Sequence, residues 1–273
     1  METEKNRLLE LCKTIREDIL VMLNKAGSGH PGGSLSATEL ITVLYFGGIM
    51  KYDASNPNWA QRDFFILSKG HACPVVYAAL ARAGFFSTDE LGKLRQLGSI
   101  LQGHPNSKST PGIDCSSGSL GQGLSISNGL GLAFKKQGRP NRVYCLLGDG
   151  ETQEGQIWEA AMTSAHNNLD NVCAILDSNG IQLDGFIDDI KKIEPVADKW
   201  RAFGWNVIEC DGHDVVQVFD AYRAAFSAVG KPSIIIAKTV KGKGVSFMED
   251  DCKWHGLTPD DEQLAKALAE IRG

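Results

Sequence analysis

The sequence predicts an α/β fold, a single doubly wound and mainly parallel sheet flanked by helices. The first observation is a series of short, continuous apolar runs, which are typical of strands buried on both faces. The second is that helical segments separate these runs, as in parallel sheets with crossover helices. The third is size, because 273 residues, 42% of them apolar, suffice for one large core. Since no linker or repeat interrupts the pattern, we expect a single domain over residues 1–273.

The N-terminal half is predicted to be mostly helical. Apolar residues from Leu8 to Leu23 recur at three- and four-residue steps, which predicts a helix that ends before Gly27. One short apolar run, Phe64–Leu67, is a candidate buried strand. Helix 119–137 is rich in small residues, so we expect it to pack closely against another backbone. The helices predicted in this half cover residues 36–46, 72–83, 88–97 and 119–137.

The C-terminal half shows the alternation of strands and helices most clearly. Strands are predicted over residues 143–147, 172–176, 206–210 and 233–237. Helices are predicted over residues 154–168 and from residue 214 to about residue 229. The sequence Thr258-Pro-Asp-Asp-Glu262 is typical of a helix start and predicts a last helix.

Composition and charge argue against several classes of partner. The net charge of -5 gives no reason to expect nucleic acid or an anionic membrane as partner. The longest uncharged run, residues 115–134, contains five Gly and five Ser and is a poor membrane span. The first 20 residues lack the apolar segment of a secretory signal. Seven cysteines without any C-x-x-C pair indicate reduced thiols, so we expect a cytoplasmic protein.

Two polar residues follow neighbouring predicted strands and suggest a metal–phosphate site. Asp149 lies between Gly148 and Gly150, and Asn179 comes just after the next strand along the chain. Ligands of open α/β sheets bind beyond the carboxyl ends of strands. A carboxylate, an amide and a backbone carbonyl suit Mg²⁺ or Ca²⁺ shared with a ligand phosphate. Each residue alone is also a common turn residue, but the pair favours a metal–phosphate site.

Three other ligand or nucleophile motifs are excluded. The segment Gly27-Ser-Gly-His-Pro-Gly32 matches G-x-G-x-x-G, but it follows a helix and contains Pro31, so it is not a dinucleotide site. The sequence contains neither a G-x-x-x-x-G-K-[ST] phosphate loop nor a G-x-S-x-G nucleophile elbow.

The spacing of the Asp149 and Asn179 motifs resembles the thiamine diphosphate fingerprint. Gly148-Asp149-Gly150 is separated by 26 residues from Asp177-Ser178-Asn179. This resemblance implies that Asp149, Asn179 and the carbonyl of Ile181 bind Mg²⁺, with Ca²⁺ as a substitute. It also implies that Gly150 lies against the cofactor diphosphate.

Further motifs occur in the order and form seen in transketolases. From about Ile15 to its end, the chain resembles the first, diphosphate-binding (PP) domain of that family. Two departures concern substrate contacts: Ser119 replaces a usual proline, and Lys69 replaces the asparagine of many relatives. The motifs are Ser28-Gly-His-Pro-Gly-Gly-Ser34, Lys69-Gly-His71, Gly103-His-Pro105, Gly118-Ser-Leu-Gly-Gln-Gly123, Glu154-Gly155, Asp211-Gly-His-Asp214 and Trp254-His-Gly256.

The family resemblance assigns roles to four glycine-flanked histidines, whose ordinary pKa suits proton transfer at neutral pH. It implies that His30, His104 and His255 contact the donor ketose near its C1 and C2 oxygens. His71 is expected near the diphosphate and the reacting carbon, whereas His213 is expected to be structural. Glu154 is expected to pair across a subunit interface. The residues expected to bind the cofactor are His71, Gly118, Ser119, Leu120, Asp149, Gly150, Glu154, Asn179 and Ile181.

The family resemblance also implies a partner subunit. In transketolases, the glutamate and aromatic side chain at the pyrimidine ring, and the arginines for the substrate phosphate, lie on a second domain that this sequence does not encode. We therefore expect the N-terminal subunit of a split transketolase, active with a separate C-terminal subunit in a heterotetramer (α2β2). Its reaction would be transfer of a two-carbon ketol unit from a ketose phosphate to an aldose phosphate, in the pentose phosphate pathway or a dedicated sugar pathway.

Three alternatives stay open at this point. One is the α subunit of a 2-oxo acid dehydrogenase, which would not need the histidines that hold a C1 hydroxyl. A second is an enzyme similar to deoxyxylulose-phosphate synthase, although the loop Gly118–Gly123 has the transketolase form. The third is a catalytically silent binding partner, against which the retained Asp149, Asn179 and histidines argue.

Overall fold

The structure is a computed structural model that describes residues 2–273. At Phe226 it describes only the backbone. Its strands are β1 (Phe64–Leu67), β2 (Val143–Gly148), β3 (Val172–Ser178), β4 (Ile181–Gln182), β5 (Gly185–Phe186), β6 (Asn206–Asp211) and β7 (Ser233–Lys238). Five of them form a parallel sheet in the order β1-β2-β3-β7-β6, while β4 and β5 form a small antiparallel pair. After β3 the chain forms β6 at the sheet edge and returns to insert β7 beside β3, so the predicted parallel sheet is confirmed.

Helices cover both faces of this sheet. Along β2, the side chains of Tyr144 and Leu146 join one buried cluster, and those of Cys145 and Leu147 join a second cluster on the opposite face. Such alternation between two buried faces explains the continuous apolar runs in the sequence. The helices are α1 (Glu2–Ala26), α2 (Pro31–Ser36), α3 (Thr38–Phe46), α4 (Cys73–Arg82), α5 (Gln122–Lys136), α6 (Gly155–His166), α7 (Ile187–Ile190), α8 (Val196–Ala202), α9 (Val215–Ser227) and α10 (Asp261–Arg272).

The structure corrects several predicted helices. The predicted helix 36–46 corresponds to α3, and a separate short helix, α2, starts at Pro31 before it and ends at Ser36. The predicted helix 88–97 is a short 3₁₀ helix, Thr88–Lys93, and the chain then turns at Arg95 with φ 62°. The predicted helix 119–137 begins only at Gln122, because Gly121 has φ 84°. The pair β4–β5 and helices α7 and α8 were not predicted.

Helix α5 packs against backbone as closely as its small residues predict. A Cβ atom on Gly123 would lie 2.5 Å from the Cβ of Ser68. A Cβ atom on Gly131 would lie 2.6 Å from a methyl group of Val172. Within residues 2–273, we find no helix with both the length and the apolar character needed to cross a membrane.

Candidate functional site

A cavity of about 290 Å³ opens at the carboxyl edge of the parallel sheet. The segments that follow β1, β2, β3 and β7 contribute to its wall, as expected for a ligand site in an open α/β sheet. Eight residues proposed from the sequence line the cavity: His71, Leu120, Asp149, Gly150, Glu154, Asn179, Ile181 and His255. The structure therefore brings together two groups of residues, the Asp149–Asn179 pair and the histidines, that lie far apart in sequence.

The two turns that carry Asp149 and Asn179 contact each other directly. The Asp149 carboxylate accepts hydrogen bonds from the backbone N–H groups of Gly150, at 2.8 Å, and Gly180, at 2.6 Å. The Asn179 side chain donates to the Asp177 carboxylate at 3.1 Å, and its oxygen accepts from the N–H of Ile181 at 3.2 Å. Burial, followed by the nearby Asp177 carboxylate, raises the pKa of Asp149 to about 7. A cation bound here would relieve that penalty on the ionised carboxylate.

The carbonyl oxygen of Ile181 already accepts a hydrogen bond from a positively charged group. The Lys241 ammonium donates to this oxygen at 3.1 Å and lies 2.9 Å from Nδ1 of His255. Burial, followed by repulsion from Lys69, lowers the pKa of Lys241 to about 8. One carboxylate, one amide oxygen and one carbonyl form the oxygen set that Mg²⁺ prefers, so the residues present fit such an ion.

A buried ion pair supports the cavity floor. Lys69 pairs with Asp177, and its ammonium also donates to the carbonyl of Gly33 at 2.9 Å. Asp177 accepts further hydrogen bonds from Ser36, at 2.6 Å, and from Thr239. Although burial opposes ionisation, Lys69 and these hydroxyl groups hold the pKa of Asp177 below its ordinary value. The network ties the end of β3 to α2 and to the segments that follow β1 and β7.

The four glycine-flanked histidines form one cluster. The ring of His30 lies 5.4 Å from His71, 5.4 Å from His255 and 6.1 Å from His104, between ring centres. His71 and His255 are 5.0 Å apart. Burial is the largest cause that lowers the pKa of His30 to about 4, of His255 to about 3 and of His71 well below its ordinary value. The rings are therefore neutral at pH 7 and can donate or accept hydrogen bonds.

The Gly118 loop is only partly at the cavity. Leu120 lines the cavity wall, whereas Gly118 and Ser119 line a separate shallow cleft. A Cβ atom on Gly118 would lie 3.8 Å from the ring of His104, so the loop contacts the histidine cluster from outside. Glu154 lines the cavity and is exposed, and its predicted role at a subunit interface stays a prediction.

Sequence reasoning missed several charged side chains of the site. It treated Lys69 only as a departure from the usual motif and did not consider Lys241, although Lys241-Gly-Lys-Gly244 is a basic, glycine-rich loop after a strand. It also missed Glu151, which is buried and accepts the N–H groups of Gly121 and Gly148. Arg95 donates a hydrogen bond to Ser28 Oγ at 3.3 Å, close to the His30 loop. Burial is the largest cause of the lowered pKa of His30 and His104, and the positive charge of Arg95 is the second.

A parallel sheet whose carboxyl edge carries a cavity with a carboxylate–amide turn pair and buried lysines defines an α/β protein with a site suited to a metal-bound phosphate. The chain belongs to the transketolase family: the model described as "Transketolase, thiamine diphosphate binding domain" matches residues 8–271. This result confirms the resemblance to transketolases inferred from the motifs.

Named relatives cover almost the whole chain. It is 44% identical to the "6-deoxy-6-sulfo-D-fructose transketolase subunit SqwG" of Clostridium sp. (strain MSTE9), over 99% of this chain and 98% of that protein. It is 38% identical to a protein of Phocaeicola vulgatus that is named as a subunit of an apulose-4-phosphate transketolase, over 99% and 92% of the two chains.

Solved transketolase structures share the fold but are longer. The transketolase from Leishmania mexicana superimposes with a TM-score of 0.91 at 32% identity, over 97% of this chain and 41% of that chain. That from Campylobacter jejuni gives a TM-score of 0.91 at 34% identity, over 97% and 42%. The chain thus spans about two fifths of the solved transketolase chains that it matches.

Proposed function

We propose that this chain is the N-terminal subunit of a two-subunit transketolase that transfers a two-carbon ketol unit between sugars. The observation that carries the proposal is the meeting of two groups at one cavity. The Asp149–Asn179 turns suit a metal-bound diphosphate, and the neutral histidine cluster beside them suits the hydroxyl and carbonyl groups of a ketose.

Asp149, Asn179 and the carbonyl of Ile181 are the proposed ligands of Mg²⁺, which would bind the diphosphate of thiamine diphosphate. Gly150 is proposed to lie against that diphosphate, because a Cβ atom there would lie 3.0 Å from the Cβ of Gln182 and would narrow the cavity. Lys241 and Lys69 add positive charge to the same wall. When bound, thiamine diphosphate supplies the carbon that accepts the ketol unit.

His30, His104 and His255 are proposed to orient the donor sugar. As neutral imidazoles, they can hydrogen-bond the C1 and C2 oxygens and move a proton at those atoms. Nδ1 of His30 is buried and lacks a hydrogen-bond partner within residues 2–273, so no protein hydrogen bond at that atom fixes the ring. His71, which belongs to the cluster and lines the cavity, is proposed to lie near the diphosphate.

We further propose that the active assembly contains a separate C-terminal subunit, as an α2β2 heterotetramer in the cytoplasm. Two similar proteins are named as transketolase subunits, and the solved transketolases carry additional chain beyond the region matched here. In this proposal Glu154 lies at the interface between copies, and the partner supplies the contacts to the pyrimidine ring and to the distant end of the sugar.

The substrate pair belongs to this proposal as well. The first candidate is transfer between ketose and aldose phosphates, with xylulose 5-phosphate as donor and ribose 5-phosphate as acceptor. The relatives named above act, by their names, on 6-deoxy-6-sulfo-D-fructose and on apulose 4-phosphate. A sulfonated or branched donor is therefore the second candidate, since the two-carbon unit held by the histidines is a shared feature of ketoses.

The test measures ketol transfer with Mg²⁺ and thiamine diphosphate, by this chain alone and mixed with the protein of the adjacent reading frame. Donors are xylulose 5-phosphate, 6-deoxy-6-sulfofructose and apulose 4-phosphate. We expect activity only in the mixture, lowered about 100-fold or more by His30→Gln and unchanged by His166→Gln, an exposed histidine outside the cavity. Full activity of the chain alone would contradict the two-subunit proposal, and an unaffected His30→Gln variant would contradict the role of the cluster.

A further inference from the structure

The motif Asp211-Gly-His-Asp214 does not line the cavity, yet its histidine is largely enclosed by a defined network. Asp211 accepts the N–H of His213 at 2.9 Å, and Asp214 caps α9 by accepting the N–H of Val216 at 2.9 Å. These two aspartates shape the turn after β6. They leave the His213 ring, whose side chain is 14% exposed, directed towards α3.

Glu39 of α3 lies at the centre of this network and is buried. It forms an ion pair with Arg16 of α1 at 2.7 Å, and it lies 3.0 Å from Nδ1 of His213. Burial opposes ionisation, but Arg16 and His213 hold the pKa of Glu39 below its ordinary value. Glu39 is therefore a carboxylate that accepts hydrogen bonds from both neighbours.

The hydrogen bond at the other ring nitrogen, Nε2, determines which nitrogen of His213 carries the proton. Nε2 accepts the backbone N–H of Val240 at 2.8 Å, so it carries no proton. The proton of the neutral ring is then on Nδ1, which donates it to Glu39. Arg16 reaches the same segment from the other side, because its Nε donates to the carbonyl of Lys243 at 3.0 Å. Both ends of the turn 240–243 are thus tied to one buried carboxylate.

Between these two attachments lies Lys241. Its buried side chain brings the ammonium to the carbonyl of Ile181 and to Nδ1 of His255. The next residue, Gly242, donates its N–H to the carbonyl of Gly32 at 3.1 Å. The turn therefore connects the motif after β6 with the proposed metal carbonyl and with the histidine cluster.

We propose that His213 is a positioning residue that, with Glu39 and Arg16, holds the turn 240–243 so that the Lys241 ammonium stays at the cavity wall. The fixed turn is a property of this chain alone. Its consequence for cofactor binding rests on the function proposed above, so the two are measured separately.

The first measurement is the tautomer of His213 in the unmodified full chain, from long-range ¹H–¹⁵N correlation spectra, with His213→Phe used for assignment. We expect Nδ1 protonated and Nε2 unprotonated at pH 7.5. A proton on Nε2 would refute the proposal, whatever the behaviour of any variant.

The second measurement is hydrogen–deuterium exchange of the full chain with His213→Phe, which keeps the ring volume but removes both hydrogen bonds. We expect exchange at least tenfold faster in peptides from residues 239–251 and unchanged exchange in β2 and β3. His213→Gln, which has one donor and one acceptor, should restore part of the protection, and His166→Gln should have no effect. Unchanged exchange at 239–251, or equal acceleration throughout the chain, would refute a positioning role.

The third measurement is the dissociation constant of thiamine diphosphate with Mg²⁺ in the assembly with the partner subunit. We expect an increase of about tenfold for His213→Phe, as for other residues that orient a ligand-binding group. Faster exchange at residues 239–251 in His213→Phe, together with unchanged cofactor affinity, would overturn the link to the cavity. Absence of cofactor binding by the unmodified assembly would instead contradict the proposed function and leave the turn assignment intact.

Discussion

At the scale of single residues, burial keeps the clustered histidines uncharged. Each ring lies among other imidazoles and lysines, and burial is the largest cause of the lowered pKa of His30, His71 and His255. A histidine near its ordinary pKa of about 6.5 would be partly charged at neutral pH. The structure thus selects the neutral form, which both donates and accepts hydrogen bonds.

This pKa depression has a measurable effect on stability. The unfolded chain binds protons below about pH 6.5, whereas the folded chain keeps His255 neutral down to about pH 3. The unfolding free energy should therefore fall as pH decreases from about 6.5. In His255→Gln this fall should be less steep by about 0.7 kcal/mol per pH unit, half of the linkage limit, because solvent screens the partly exposed ring.

Urea unfolding of the chain at intervals from pH 7.5 to pH 5 measures these slopes. His166→Gln, which changes an exposed histidine at the end of α6, is the matched control and should retain the slope of the unmodified chain. Equal slopes for His255→Gln and the unmodified chain would show that His255 is not held neutral by the fold.

At the scale of elements, two glycines of helix α5 have very different surroundings. Gly123 contacts the backbone of Ser68, where an added Cβ would lie 2.8 Å from Cα, whereas Gly129 has nothing within 4 Å of that position. Alanine favours helix over glycine by about 1 kcal/mol. The same substitution should therefore have opposite effects at the two sites.

We expect Gly129→Ala to raise the unfolding free energy by about 0.5–1 kcal/mol and Gly123→Ala to lower it by about 1–3 kcal/mol. Urea or thermal unfolding of the two variants, side by side, measures this difference. If Gly123→Ala were as stable as Gly129→Ala, the close contact between α5 and the segment after β1 would be wrong.

At the scale of the whole molecule, helices cover both faces of the sheet. Neighbouring residues of one strand should therefore contribute equally to the unfolding free energy. Leu146 and Leu147 are adjacent in β2 and buried in different clusters. A sheet with one solvated face would leave one of them exposed. We expect Leu146→Ala and Leu147→Ala each to lower the unfolding free energy by about 2–5 kcal/mol.

Chemical unfolding with Leu97→Ala as control tests this arrangement. Leu97 is fully exposed, so its truncation should change the unfolding free energy by less than about 0.5 kcal/mol. A small effect at either Leu146 or Leu147 would show that helices do not cover that face of the sheet.

The α/β class, the five sheet strands and the family are all visible in the amino-acid sequence. Strands buried on both faces require continuous apolar runs, and glycines flank Asp149 on both sides, so both features are visible in local sequence. The glycine-flanked histidines and the Asp149–Asn179 pair can also be recognised in the sequence, because each of these residues lies in a short local motif.

How these residues meet depends on the folded chain. The contacts of Lys69 with Asp177, Lys241 with Ile181 and Glu39 with His213 join residues that are 108, 60 and 174 positions apart, and local pattern carries no record of such partners. The lowered pKa values of the histidines also arise only there, because burial and neighbouring charge are properties of the assembled cavity. Helix α5 begins at Gln122 rather than Ser119 for a similar reason, since the positive φ of Gly121 places the chain beside Glu154 and ends the loop at that point.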